Sequence, residues 1–83
     1  MRGDHMQVEV RVKLKEAVLD PQGEAIRRLL AGLGYDEIGR VRVGKLMLLD
    51  VDATDPDEVR ARVEAACHEV LANPVIEDFE VRL

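Results

Sequence analysis

The chain has 83 residues, 47% of them apolar and 35% charged, with a net charge of −5 and a pI near 4.9. That length holds one domain, and the composition is that of a folded chain rather than a disordered one. The acidic balance opposes a phosphate backbone, so no nucleic-acid partner is expected. No apolar run reaches the ~18 residues of a membrane span, so no membrane partner is expected either. The single cysteine, Cys67, allows neither an internal disulfide nor a CxxC metal site, and a lone thiol suits a reducing, cytoplasmic compartment.

Met1 to His5 lacks the apolar stretch of a secretory signal. Met6 stands directly before the first strand-like run. Residues 1–5 are therefore read as an expression-tag remnant and 6–83 as a single domain. This reading removes Arg2-Gly3-Asp4 as an adhesion motif and His5 as a ligand.

Gln7 to Leu14 alternates strictly, with Val8, Val10, Val12 and Leu14 on one face and Gln7, Glu9, Arg11 and Lys13 on the other. That period of two predicts a half-buried strand. Asp20-Pro21 then reads as a helix start. The aspartate accepts from free backbone N–H groups at the N-cap, and proline at the first helical position loses nothing by lacking its own. The helix predicted over 21–33 places Ile26, Leu29, Leu30 and Leu33 on one stripe, and Gly34 suits the left-handed position that closes it.

Ile38 to Val43 predicts a second strand, Val41 and Val43 inward and Arg40 and Arg42 outward, with Val43-Gly44-Lys45 as a tight hairpin turn. Arg40, Arg42 and Lys45 would form a small basic patch. Leu46 to Asp52 predicts a third strand. Met47, Leu49 and Val51 share its core face, while Leu46 and Leu48 lie on the face that is polar in the first strand. An apolar outer face predicts contact with another subunit. Asp55-Pro56 repeats the helix start 35 residues after the first, and the second helix is predicted to reach about Ala72. Its buried stripe is Val59, Val63, Ala66, Val70 and Leu71, with Cys67 at the edge. Asn73-Pro74 ends it. Val75 to Leu83 predicts the last strand, with Ile76, Asp78, Glu80 and Arg82 on its outer face.

The predicted order is β-α-β-β-α-β, an α+β class. Two β-α-β halves interleave into a ferredoxin-like, four-stranded antiparallel sheet with both helices on one face. The other face stays bare and carries Leu46, Leu48 and Ile76 as self-association residues. The expected result is a dimer or tetramer, joined through this face or by segment exchange.

Little in the sequence points to chemistry. His68 has no second histidine with which to build a metal site, and Cys67 has no activating base in helical register and reads as a small core residue. Asp50 and Asp52 read as solvated strand-end charges, and the spacing of Gly39 and Gly44 matches no phosphate loop. No catalytic, cofactor-binding or metal-binding residue is expected. The exposed aromatics of an RNA-recognition motif are missing from the third strand, and the CxxC of a metallochaperone is missing after the first. A ligand-sensing ACT-like module remains as the alternative, because Asp20-Pro21-Gln22-Gly23 loosely matches its glycine-bearing loop.

Three stretches in order carry a more specific likeness: Val12-Lys13-Leu14-Lys15-Glu16-Ala17-Val18-Leu19-Asp20-Pro21-Gln22-Gly23, then Val41-Arg42-Val43-Gly44-Lys45, then Leu71-Ala72-Asn73-Pro74-Val75-Ile76-Glu77-Asp78-Phe79. Together the chain resembles the PurS family, the small subunit of phosphoribosylformylglycinamidine synthase in purine biosynthesis. The resemblance implies a subunit that bridges a PurL-type synthetase and a PurQ-type glutaminase and assists ammonia transfer. It implies that ATP, Mg and glutamine are used by those partners and not by this chain. The matched motifs and their loop positions single out Lys15, Asp20, Gln22, Gly23, Arg42, Gly44, Lys45, Asn73 and Pro74 as partner-binding residues. Pro74 departs from the family pattern, where threonine or another residue is frequent.

Overall fold

The computed structural model describes residues 5–83. The segment set aside as a tag remnant thus lies outside the described residues, except for His5. Three strands form one antiparallel sheet in the order β2-β1-β3: β1 is Met6–Leu14, β2 is Gly44–Val51 and β3 is Glu77–Arg82. Two helices complete the fold, α1 over Pro21–Gly32 and α2 over Pro56–Ala66, and a π-helical turn at Cys67–Leu71 continues α2.

The α+β class and the antiparallel sheet agree with the sequence, and so do both helix starts. Asp20 accepts from Gly23 N at 2.9 Å and Asp55 from Asp57 N at 3.0 Å, each followed by proline in the first turn. Gly34 has φ +99°, the left-handed conformation that ends α1.

The core lies on one face of the sheet. Alternation in β1 sends Val8, Val10 and Val12 into it, and α2 covers them with Val59 and Val63. Met47, Leu49 and Val51 of β2 and Phe79 and Val81 of β3 flank this centre. Arg60 fastens α2 to the sheet by donating to the Val81 carbonyl at 3.0 Å.

Four expectations are corrected. The first concerns Ile38 to Val43, which forms no strand, so the sheet has three strands and not four. The segment is held by the β1–α1 loop instead of by a ladder. Gly44 and Lys45 are then no hairpin: they open β2, opposite Lys13 and Val12.

The second concerns α1, which makes no extended contact with the sheet or with α2. Its apolar stripe is not core. Leu33 is 74% exposed and Leu29 is also open to solvent.

The third concerns the end of α2. There the hydrogen bonding changes to the wider π spacing, with Ala72 N donating to the Cys67 carbonyl at 3.0 Å. A π turn takes up one extra residue and so rotates the residues beyond it about the helix axis. Val70, expected in the buried stripe, turns out to solvent, while Cys67 keeps the four-residue spacing of Val59 and Val63 and is the core residue expected.

The fourth concerns the last strand, which starts two residues later than expected. Ile76 sits in the turn ahead of it, where its carbonyl accepts from Lys15 N at 2.8 Å.

Candidate functional site

The nine residues singled out from sequence gather at one end of the sheet, where β1 finishes and β2 and β3 begin. The β1–α1 loop, residues 15–20, lies there against the segment 39–43.

Two side chains lock this region. The Arg42 guanidinium donates to the Val18 carbonyl at 2.8 Å and to the Lys15 carbonyl at 2.9 Å. Asp20 uses its two oxygens separately: one caps α1 through Gly23 N, and the other accepts from Val43 N at 2.7 Å. These N–H groups, Val43 first and Gly23 next, hold the Asp20 carboxyl below its ordinary pKa. A loop fixed in this way presents a surface with little ordering left to lose on binding.

The remaining residues join the same end. Gly23 is buried because its Cα lies against the Val41 carbonyl, leaving no space for a side chain. A Cβ on Gly44 would stand 2.7 Å from the Val12 carbonyl oxygen, so both glycines serve close backbone approach. Lys15 pairs with Asp78 at 2.8 Å. Lys45 lies 3.9 Å from Glu77, and the other Glu77 oxygen accepts from Asn73 N at 2.7 Å. Asn73 turns the chain, its side-chain oxygen taking Val75 N and its carbonyl taking Ile76 N and Glu77 N. Pro74 follows in that turn, and Gln22 is exposed beside Asp20.

The expected basic patch does not exist as such. Arg42 is bound to two carbonyls, and Arg40 pairs with Glu16 at 2.8 Å. That pair lowers the Glu16 pKa, through the Arg40 hydrogen bond first. Sequence reasoning missed Glu16, Leu19 and Val41. An open groove of about 480 Å³ runs between the loop and segment 39–42, and Leu19 at its edge is 87% exposed. The signal for Leu19 was present, since it is a large apolar residue in a loop just before a helix cap.

No arrangement of nucleophile and base appears at this end. Cys67 lies in the core, its thiol pushed up by burial and then by Glu64. His68 stacks edge-on to Phe79 with ring centroids 5.1 Å apart. Among the described residues, no three of His, Cys, Asp and Glu group closely enough to hold a metal ion. No helix among them is long and apolar enough to cross a membrane.

This set of loops corresponds to one family. The PurS family model, described as phosphoribosylformylglycinamidine (FGAM) synthase, matches residues 7–83. The chain belongs to the PurS family. The Bacillus subtilis phosphoribosylformylglycinamidine synthase subunit PurS is 46% identical over 72 residues, 87% of this chain and 84% of that protein. The Methanocaldococcus jannaschii subunit PurS is 36% identical, with 87% of each covered. Among solved structures, B. subtilis PurS matches with a TM-score of 0.83 at 42% identity, covering 94% of this chain and 95% of that one. A chain in a structure of PurLQS from Thermotoga maritima matches with a TM-score of 0.86 at 35% identity, over 94% and 95%.

Proposed function

We propose that this chain is the small assembly subunit of a cytoplasmic phosphoribosylformylglycinamidine synthase, a glutamine- and ATP-dependent ligase of purine biosynthesis. It holds a PurL-type synthetase and a PurQ-type glutaminase in register and assists transfer of ammonia between them. ATP, Mg and glutamine are handled by those partners. The observation that carries this reading is the match over nearly the whole chain to a component of a PurLQS structure.

The physical role is positional. Ammonia released at one site reaches another without loss only if the two are held in fixed relation and water is kept out. A scaffold needs rigid contact surfaces for this, and no base or nucleophile. The locked end of the sheet supplies one such surface, with Lys15, Gln22, Lys45, Asn73 and Pro74 outermost and Asp20, Gly23, Arg42 and Gly44 setting the backbone beneath them. The bare sheet face, with Leu46, Leu48 and the adjacent Ile76, supplies a second for self-association.

The test is reconstitution with and without this chain. Glutamine-dependent synthesis should be lost when it is omitted, while ammonia-dependent synthesis by the synthetase alone is largely kept. Equal loss of both would overturn the bridging role. A thermal melt with amino acids or nucleotides should show no shift. A ligand-dependent rise would favour a sensing module instead.

A further inference from the structure

Glu77 opens β3 and divides its two carboxylate oxygens much as Asp20 does. One accepts from Asn73 N at 2.7 Å, and the other lies 3.9 Å from the Lys45 ammonium. The first bond is half of a reciprocal pair, because Glu77 N donates to the Asn73 carbonyl at 2.7 Å. With the Asn73 side-chain oxygen taking Val75 N, the turn that carries Asn73 and Pro74 closes on itself. Its exit is fixed to the middle strand: Glu77 stands opposite Leu14, and the Ile76 carbonyl accepts from Lys15 N. The Glu77 side chain is 17% exposed, whereas that of Lys45 is 57% exposed. A partner therefore meets the lysine and the turn, and little of the carboxylate between them. Two carboxylates thus reach the entry to β2 from different elements. Asp20 holds Val43 from the start of α1, and Glu77 faces Lys45 from the start of β3. Both line one open hollow of about 200 Å³, together with Gln22 and Lys45.

We infer that Glu77 is a positioning residue for the coupled reaction: it sets the Asn73–Pro74 turn in register with Lys45, so that both meet a partner as one rigid surface. This rests on the bridging role proposed above and deepens it by naming a residue beneath the contact surface. A long pair with an exposed lysine adds little stability. Its effect is on direction, since the ammonium is drawn toward the turn. The bond from the Asn73 amide carries more, because a charged acceptor makes the stronger hydrogen bond and its loss frees the turn. A turn ordered beforehand loses less on contact than a loose one. A synthetase and a glutaminase held slightly out of register lose ammonia between them while each keeps its own chemistry. The signature of Glu77 is therefore lost coupling rather than lost synthesis.

The test is reconstitution with E77A and E77Q, beside C67S, which loosens the core away from this end. E77Q keeps an acceptor oxygen for Asn73 N and loses the charge facing Lys45; E77A loses both. The Asn73 amide should exchange with solvent faster in E77A and close to the wild-type rate in E77Q. The amount of this chain needed for half-maximal glutamine-dependent synthesis should rise about tenfold in E77A and about twofold in E77Q. Ammonia-dependent synthesis should not change. C67S should need no more chain than wild type at a temperature where it is folded. Wild-type half-saturation in E77A would overturn the inference, and so would unchanged Asn73 exchange. An equal rise in C67S would overturn it too, because lost stability alone would then explain the effect. If E77A does not fold, E77D reads the same loss, since its carboxylate ends one methylene short of the Asn73 amide. A synthetase and glutaminase that couple fully without this chain would remove the bridging role itself, an outcome distinct from a bridging subunit indifferent to Glu77.

Discussion

Asp20 accepts the backbone N–H of Val43 at 2.7 Å, joining residues 23 positions apart through an oxygen that helix capping leaves spare. One carboxylate therefore starts α1 and anchors the entry to β2. D20A should lower the melting temperature more than D20N, because an amide keeps one acceptor oxygen for the two donors. The Val43 amide should exchange faster with solvent in both. A melting temperature unchanged in D20A would show that the link is dispensable.

The acid limb of stability follows from the same carboxylate and from Glu24. Asp20 is held below its ordinary 3.8, and Glu24 is lowered from 4.5 to about 2 by its hydrogen bond from Arg27. A carboxyl depressed in the folded state binds its proton first in the unfolded chain. Its contribution is complete above the unfolded value and fades as pH falls through the folded one. Melting curves of wild type and of D20A/E24Q should therefore differ near neutrality and converge as pH drops from about 5 toward 2. Curves that stay parallel would place the acid limb on other groups.

Arg42 is a fastener of the loop rather than a free contact charge. R42A leaves the Val18 carbonyl without the guanidinium that donates to it and the Lys15 carbonyl with the Val18 amide alone. At this half-buried site the cost should be about 1–3 kcal/mol, with R42K recovering part of it. Exchange at the Val18 amide, which donates to the Lys15 carbonyl at 3.0 Å, reports the loosening directly. Partner capture should weaken in R42A in step with that exchange. K45E probes surface charge at the same end, since Lys45 has only a long contact to Glu77. It should weaken capture with the fold intact.

Two glycines should tolerate no side chain. G23A puts a methyl group into the Val41 carbonyl and G44A puts one against that of Val12. Neither backbone yields easily, so each should cost about 1–3 kcal/mol by urea unfolding. G39A is the control, because its added Cβ meets nothing within 4 Å.

Cys67 should behave as a core residue. In the native chain its thiol should react slowly with a disulfide reagent and become fully reactive on unfolding. C67S places a hydroxyl where burial is complete and should cost about 1–3 kcal/mol. Rapid native labelling would contradict its buried position at the start of the π turn.

What the sequence disclosed was whatever its neighbours along the chain decide. The strand at Gln7 to Leu14 and both Asp-Pro helix starts depend on residues within one turn or one alternation, and they appear where expected. Ile38 to Val43 has the same alternation as a strand but answers to Arg42 and Asp20, whose partners lie more than twenty residues away. The stripe of α1 was visible as apolar, yet periodicity names no surface for it to meet. The π turn was hidden because one extra residue leaves no compositional mark, and Val70 left the expected stripe as a result. At the candidate site, the motif residues were found, but their division into fasteners and contacts needed the hydrogen bonds.

The detached α1 has a consequence for handling the protein. With Leu29 and Leu33 open to water and only small side chains fully sequestered beneath α2, much of the cohesion must come from other molecules. Dilution then acts as a denaturant: the melting point should climb with protein concentration, as it does for chains whose folding is completed by company.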